Sequence, residues 1–461
     1  MLYPIKYLKF IYYTRQNSKN LSVIKDKILY LQSKYYFIKN MDKEVIKQCI
    51  RDKHDEILSI DVVKRPFVFE EKANYVFVGL RRVGKSYMLY QRVLQLIEKG
   101  YQMKDILFVN FEDERLSEIT HNDLNLILEA HYEMSGSETK PILFFDEIQN
   151  VEHWDKFVRR LADAKYTVYV TGSNAKMLSS DVATTLGGRF LIYDVYPYTF
   201  QEYLNAIAFD FSDKWQYSTI EKSKVGIAFD SYFKFGGLPE MVHFKDKRSA
   251  LQSLYQKIYL GDICARNNIR NSKIMGLVVK KLAESIKQPT SYNRVQNIIK
   301  STGNNVTVGT VSDYINYAID AWLVLPIENG LAKIGERESV KKYYFLDNGI
   351  LNLFLFDSDT SLLENMVAVT LCRKYGRENV VFLKSNHEID FYIEQENTAI
   401  QVSYSISNID TREREVDALL SFAKKNKNAK LMIITKEQRE NIVVGEHEIS
   451  VVPVAEWLLG F

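Results

Sequence analysis

The sequence predicts an α/β protein: a parallel sheet wrapped by helices around a phosphate-binding loop, with further elements after it. Three observations carry this. Gly79-Leu80-Arg81-Arg82-Val83-Gly84-Lys85-Ser86 is a complete G-x-x-x-x-G-K-S loop set between an apolar run and a helical pattern. Short apolar runs alternate with helical periodicity from there to Val195. Pro141 to Glu147 is a buried-strand pattern that ends in two carboxylates.

Residues 1–40 hold eight Lys/Arg and one Asp, a charge of +7 that leaves −4 for the remaining chain out of a total of +3. This Tyr-rich leader lacks an apolar core and a small-residue cleavage site, so it is not a secretory signal. It reads as a poorly ordered extension or an upstream misread start, with a membrane-surface or nucleic-acid arm as the alternative. Met41-Asp42-Lys43 opens the first helical pattern (Val45, Ile46, Ile50). Tyr75 to Val78 is the loop strand and Tyr87 to Lys99 the helix behind it. Ile106 to Asn110 is a strand, Leu124 to Tyr132 a helix, Ile142 to Phe145 a strand and Trp154 to Ala164 a helix. Thr167 to Thr171 and Phe190 to Val195 are the last strands of this part. Such alternation places ligands at the carboxyl ends of the strands.

The chemistry follows from residue types. Gly79 and Gly84 let backbone N–H groups curl around a polyphosphate, with Arg82, Val83 and Tyr87 completing the cradle. Lys85 reaches the outer phosphates, and the Ser86 hydroxyl can ligate Mg²⁺. At the end of a neighbouring strand, Asp146 would hold Mg²⁺ and Glu147 would polarise an attacking water. Lys85, Ser86, Asp146 and Glu147 therefore read as one ATPase site, with ATP and Mg²⁺ as cofactors. Thr171-Gly172-Ser173-Asn174 falls at another strand end, where Asn174 or Ser173 can sense the terminal phosphate or cap a helix. Arg189, after Gly187-Gly188, is either a surface ion-pair partner or an arginine finger acting in cis or from a neighbouring subunit. The acidic turn Asn110-Phe111-Glu112-Asp113-Glu114 is either solvated or within reach of the nucleotide.

Gly79–Ser86, Asn110–Asp113, Asp146-Glu147-Ile148-Gln149, Thr171–Asn174 and Gly236-Gly237-Leu238-Pro239-Glu240 together resemble the prokaryotic AAA-type ATPases that carry a C-terminal domain of unknown function, DUF4143. The resemblance covers about Met41 to Phe461. It implies an ASCE/AAA-type P-loop core with the strand bearing Ser173-Asn174 between the loop strand and the Asp146 strand. The implied organisation is the core over 41–205, a helical linker or lid over 206–275, a winged-helix-like segment over 276–345 and a restriction-endonuclease-like domain over 346–461.

Residues 280–345 support the helix-turn-helix pattern independently: helices at Leu282–Ile286, Tyr292–Ile299 and Val311–Leu323, broken by Pro289 and the Thr302-Gly303-Asn304-Asn305 turn, then a β segment Lys341–Phe345. The third helix carries Asp313 and Asp320 and no Arg or Lys, which suits protein contact better than a DNA groove. Further on, Glu364 lies on a helix, and Asp390 lies in the strand Glu388–Ile393. Ala399-Ile400-Gln401-Val402-Ser403 stands where a nuclease would carry Glu-x-Lys. Gln401 is a weak metal ligand and Ser403 brings no positive charge, so Glu364 and Asp390 read as a degenerate, inactive nuclease site.

Composition excludes other classes. No stretch approaches the roughly 18 apolar residues of a membrane helix. Cys49, Cys264 and Cys372 lie far apart without C-x-x-C spacing, and the seven histidines show no metal spacing. The expectation is a cytoplasmic ATPase with an unidentified protein partner and no membrane partner; the alternatives are a DNA-processing enzyme with a metal-dependent nuclease domain and a nucleotide-gated scaffold with negligible turnover. An oligomer stays open, and DNA is a partner that the charge does not indicate.

Overall fold

A computed structural model describes residues 41–174, 180–212 and 214–460. The basic leader, residues 1–40, lies outside them. The first unit is a five-stranded sheet of β1 (Asn74–Val78), β2 (Ile106–Asn110), β3 (Ile142–Asp146), β4 (Val168–Gly172) and β5 (Phe190–Asp194). Their order is β2-β3-β4-β1-β5 and every pairing is parallel. The continuous apolar runs of β1 to β4 follow from burial on both faces, as helix-covered parallel sheets require. As the resemblance implied, β4 lies between the loop strand β1 and the Asp146 strand β3.

Helix α1 (Lys43–Ser59) packs against β2, capped by the Asp42 carboxylate, which accepts from the Glu44 N–H. Helix α2 (Lys85–Glu98) follows the loop. After β5 come α3 (Phe200–Ala206), α4 (Thr219–Phe235) and α5 (Lys247–Lys257), the last continued by a π-helical segment over Ile258–Ala265.

Helix α6 (Ser272–Glu284), β6 (Thr290–Ser291), α7 (Tyr292–Ser301), α8 (Val308–Asp320), β7 (Val324–Asn329) and β8 (Val340–Phe345) follow. Ser291 and Thr307 start α7 and α8 by accepting from the N–H three residues on. Helix α8 stops at Asp320, short of the expected Leu323. The buried Trp322 adopts a left-handed φ of 58°, and the Leu323 N–H turns back to the Ala318 carbonyl.

The rest is α9 (Asp359–Tyr375), β9 (Val380–Lys384), β10 (Glu388–Ile393), β11 (Thr398–Val402), α10 (Ile409–Ala423), β12 (Lys430–Thr435), β13 (Glu440–Val444) and β14 (His447–Pro453). One nine-stranded mixed sheet, β13-β14-β12-β11-β10-β9-β7-β8-β6, joins these strands to those before residue 345. The joint is the parallel pair β7–β9, Glu328 opposite Val381. The sheet therefore crosses 345/346 unbroken, and α6 spans 275/276. Local periodicity reports strands but not their lateral pairing, so this fusion leaves no mark in the sequence pattern.

Two buried polar links tie the halves together. Glu202 of α3 takes Arg65 Nε at 2.9 Å and Arg373 Nη1 of α9 at 2.9 Å. Burial alone would raise its carboxyl; the two guanidiniums hold it at about 2. The buried Asp347 accepts from the Gly237 N–H at 2.8 Å. Gly236, at φ +76°, makes that approach feasible: a Cβ there would stand 2.1 Å from Asp347 Oδ1. Among the described residues no helix is long and apolar enough to cross a membrane.

Candidate functional site

The sheet delivers the loop at the carboxyl end of β1. The Val83 N–H donates to the Leu80 carbonyl at 3.2 Å, closing the turn above the buried Val83 side chain. Gly84 caps α2 with φ +98°, a conformation that favours glycine, and so starts the helix directly at Lys85. The ammonium of Lys85, 3 % exposed, donates to the Gly79 and Leu80 carbonyls and lies 3.2 Å from Glu147 Oε1. Tyr87 stands on the rim, part-exposed.

Asp146 ends β3 and is 2 % exposed. It accepts from the Thr171 hydroxyl of β4 and shares a hydrogen bond with Ser86. Burial, then the adjacent Glu147 charge, pushes its carboxyl up to about 6. Glu147 turns out of the strand at φ 52°, its N–H held by Thr171 Oγ1 at 2.8 Å. Its Oε2 accepts from the Ser173 N–H at 3.2 Å and from Gln149. Burial would raise Glu147 too, but the Lys85 charge and the Gln149 hydrogen bond hold it below the ordinary carboxylate range. A hydroxyl beside a buried carboxylate is a donor pair suited to a hard divalent ion such as Mg²⁺. Asn174 follows at the end of β4, buried; residues 175–179 beyond it lie outside the described ones.

Lys85, Ser86, Tyr87 and Glu147 line a cavity of about 410 Å³ whose other wall includes Pro239, Glu240, His243 and Lys257. The loop arginines grip that wall. Arg82 pairs with Glu240 at 2.7 Å, and Arg81 meets Asp262 of the π segment through Nε at 2.7 Å and Nη2 at 3.1 Å. Arg81 also holds Glu112 at 2.9 Å, so the acidic turn after β2 reaches the loop.

Arg189 is elsewhere. It precedes β5, whose first residue Phe190 pairs with Asn74, whereas the loop follows Val78, opposite Asp194. That puts it at the amino end of the sheet, about 16 Å from the loop at 3.3 Å per residue. There it pairs with Asp163, and its carbonyl accepts from Asn74. A finger role in cis is thus corrected: strand direction carries Arg189 away from the phosphates.

The C-terminal acids meet a group that sequence reasoning missed. Lys342 of β8 is fully buried, its Nζ 3.1 Å from Glu364, 2.9 Å from Glu388 and 3.3 Å from Asp390. Tyr344 donates to Glu364 at 2.7 Å, and burial drives the Glu364 carboxyl to about 7 despite the lysine. Gln401 engages backbone and Glu415 instead, receiving the Asp390 N–H and donating to the Glu388 carbonyl and Glu415. The available signal was a lysine two residues before a tyrosine, hence on one strand face, inside an apolar run. Glu240 was visible in its Gly-Gly-Leu-Pro-Glu motif without an assigned role; Asp262 and Lys257 carried no local signal.

Comparison with known proteins agrees on the class. Residues 71–204 match the AAA domain family, so this segment is an AAA-type P-loop domain, a nucleotide-binding fold. Residues 226–361 match a domain of unknown function (DUF8612), not the DUF4143 domain implied by the resemblance. The chain belongs to the family of the uncharacterized protein MJ1544 of Methanocaldococcus jannaschii, to which it is 33% identical over 439 residues, 91% of this chain and 97% of that protein. An uncharacterized protein of Haemophilus influenzae is 29% identical over 392 residues, covering 83% and 94%. Among solved structures, the Walker-type ATPase PABY2304 of Pyrococcus abyssi is similar with a TM-score of 0.37 and 12% identity, over 68% of this chain and 95% of that one.

Proposed function

We propose that this protein binds ATP with Mg²⁺ and hydrolyses it, coupling the cycle to its C-terminal half as an interaction module. One observation carries the reading: Lys85, Ser86 and Glu147, from two strand ends, line one cavity with Lys85 Nζ 3.2 Å from Glu147, and the buried Asp146 shares a hydrogen bond with Ser86. Lys85 neutralises the outer phosphates, and the loop backbone and the start of α2 bind them. Ser86 and Asp146 would hold Mg²⁺, which supplies charge to the phosphate oxygens. Glu147, kept ionised by Lys85, orients the attacking water and takes its proton. Asn174 and Ser173 report on the terminal phosphate. Three buried free thiols, Cys49, Cys264 and Cys372, suit a reducing cytoplasm.

The test is steady-state hydrolysis by the wild type against Glu147→Gln, with calorimetry for ATP, ADP and GTP. Turnover falling about 10²- to 10⁴-fold in the variant with ATP binding retained supports the reading. Absence of heat with any nucleotide would overturn it.

For the C-terminal half we infer a winged-helix-like segment followed by a restriction-endonuclease-like domain. The order α6-β6-α7-α8-β7-β8 and the mixed core β9 to β12 with α9 and α10 support this. The second reading, a metal-dependent nuclease at Glu364 and Asp390, is disfavoured because the Lys342 ammonium fills the space between the carboxylates. Mg²⁺- or Mn²⁺-dependent cutting of plasmid DNA, lost in Asp390→Ala, would reverse that judgement.

A further inference from the structure

A separate cavity of about 380 Å³ lies between α3, the segment that follows it and the C-terminal helix Val454–Leu459, and shares no lining residue with the nucleotide cavity. One wall is aromatic. Phe209, Phe211 and Trp215 stand in a row, with ring centres 6.1 Å apart for the first pair and 6.4 Å for the second, which meets edge to face. Hydrogen bonds hold this wall in place: the Phe209 N–H donates to the Leu204 carbonyl at 2.9 Å, and the Ser212 N–H and hydroxyl donate to Glu221 at 3.2 and 2.6 Å. The polar groups around it are set to accept. Gln216 Oε1 is buried and meets no hydrogen-bond donor among the described residues. A buried acceptor left so is costly, and it needs a donor from elsewhere. Gln201 donates its amide to Asn205 Oδ1 at 3.1 Å, which leaves its own oxygen to accept. Asp210 brings an exposed carboxylate with no ion-pair partner among the described residues, whereas Glu456 is paired with Arg439. Among the described residues no Lys, Arg or His lines the cavity.

We propose that this cavity is a binding site for a guanidinium group. Aromatic faces attract a cation, and a guanidinium also stacks on them because it is planar and weakly hydrated. Its five N–H donors form a rigid fork that can meet Gln216 Oε1, the Gln201 oxygen and the Asp210 carboxylate together. An ammonium is a compact, strongly hydrated charge and gives up more water on entering. The group arrives either on a small guanidino compound or on an arginine of a partner protein, and the recognition chemistry is the same for both. Helix α3 carries Gln201 and Asn205 to this cavity, Ala206 to the nucleotide cavity, and Glu202 to the Arg65–Arg373 link. Occupancy therefore bears on the helix that ties the two halves together. Nothing in this recognition requires nucleotide.

The test is calorimetry of the full chain, without nucleotide, against three probes: agmatine, putrescine, and a short glycine-flanked arginine peptide blocked at both ends. Agmatine is expected to bind with a dissociation constant of about 1 mM or tighter. Putrescine, with an ammonium in place of the guanidinium, should bind more weakly by about fivefold or more. Asp210→Asn should weaken agmatine about tenfold, for one charge-assisted hydrogen bond, and Phe211→Leu about threefold, for one ring face. Both variants should keep the unfolding midpoint of the wild type, which separates lost recognition from lost folding. Tighter binding of the peptide than of agmatine assigns the site to a partner's arginine; the reverse assigns it to a small guanidino compound. No heat with either guanidinium probe, putrescine bound as tightly as agmatine, or wild-type affinity in either variant overturns the proposal.

Discussion

Replacing Asp146 by Asn is expected to make the nucleotide-free protein more stable while abolishing its turnover. In the folded chain this carboxyl is moved from an ordinary value of 3.8 to about 6 by burial and by Glu147, with Thr171, Ser86 and the Lys85 charge only partly offsetting them. A raised carboxyl is more readily protonated in the folded state than in the unfolded one. Its contribution is therefore intact below pH 4 and is lost as pH rises through 6. Above pH 7 the ionised group costs about 3 kcal/mol, and at pH 5 about half of that. Asn keeps the shape and can accept from Thr171 without the charge. The variant should thus gain up to about 3 kcal/mol at pH 7.5 and about half as much at pH 5. Thermal unfolding of the full chain in chelator at the two pH values measures this. Adding Mg²⁺ and ATP at about a hundred times the dissociation constant should stabilise the wild type by about 2.7 kcal/mol. The same addition should stabilise the variant less. A variant less stable than wild type at pH 7.5 without metal, or an advantage that does not shrink toward pH 5, would refute the idea that Asp146 is a strained anion awaiting a cation.

Arg189→Ala should leave turnover within twofold of wild type, because the side chain pairs with Asp163 at the amino end of the sheet; a hundredfold loss would restore a finger role from a neighbouring subunit. Gly236→Ala should lower the unfolding midpoint, with a cost of about 3 kcal/mol or more from left-handed strain and the clash with Asp347. An unchanged midpoint would show that this approach is not rigid. Lys342→Met should cost about 3–5 kcal/mol at neutral pH, since it leaves Glu364, Glu388 and Asp390 facing one another without a cation. Because protonation relieves that repulsion, the deficit should shrink toward pH 5; unfolding curves at pH 7.5 and 5 test both claims.

What could be read from the sequence divides along a physical line. The loop, its strand and its helix occupy contiguous residues, and glycine, lysine and serine at that spacing have few other uses. Asp146 and Glu147 were legible because a parallel sheet sends every strand's carboxyl end to the same edge, so a chain-local acid pair acquires a spatial address. The same rule, applied to Arg189, points away from the site: a residue before a strand belongs to the opposite edge. Lys257, Asp262 and Lys342 obey no such rule. Each acquires its neighbours through tertiary packing: Lys342 through the β7–β9 joint that fuses two sheets, Lys257 and Asp262 through a π turn laid against the loop. Charge pairing across 22 to 181 residues leaves no periodic trace, because either partner alone looks like an ordinary solvated side chain. Both surprises are lysines, and they stand in opposite states. Lys342 is saturated by three carboxylates and fully buried, so its ammonium is committed to structure. Lys257 faces a cavity with its charge unmatched. Desolvating a lysine is worthwhile only where an anion compensates it, so the buried Lys342 carries three carboxylates, whereas the exposed Lys257 keeps its water and needs none.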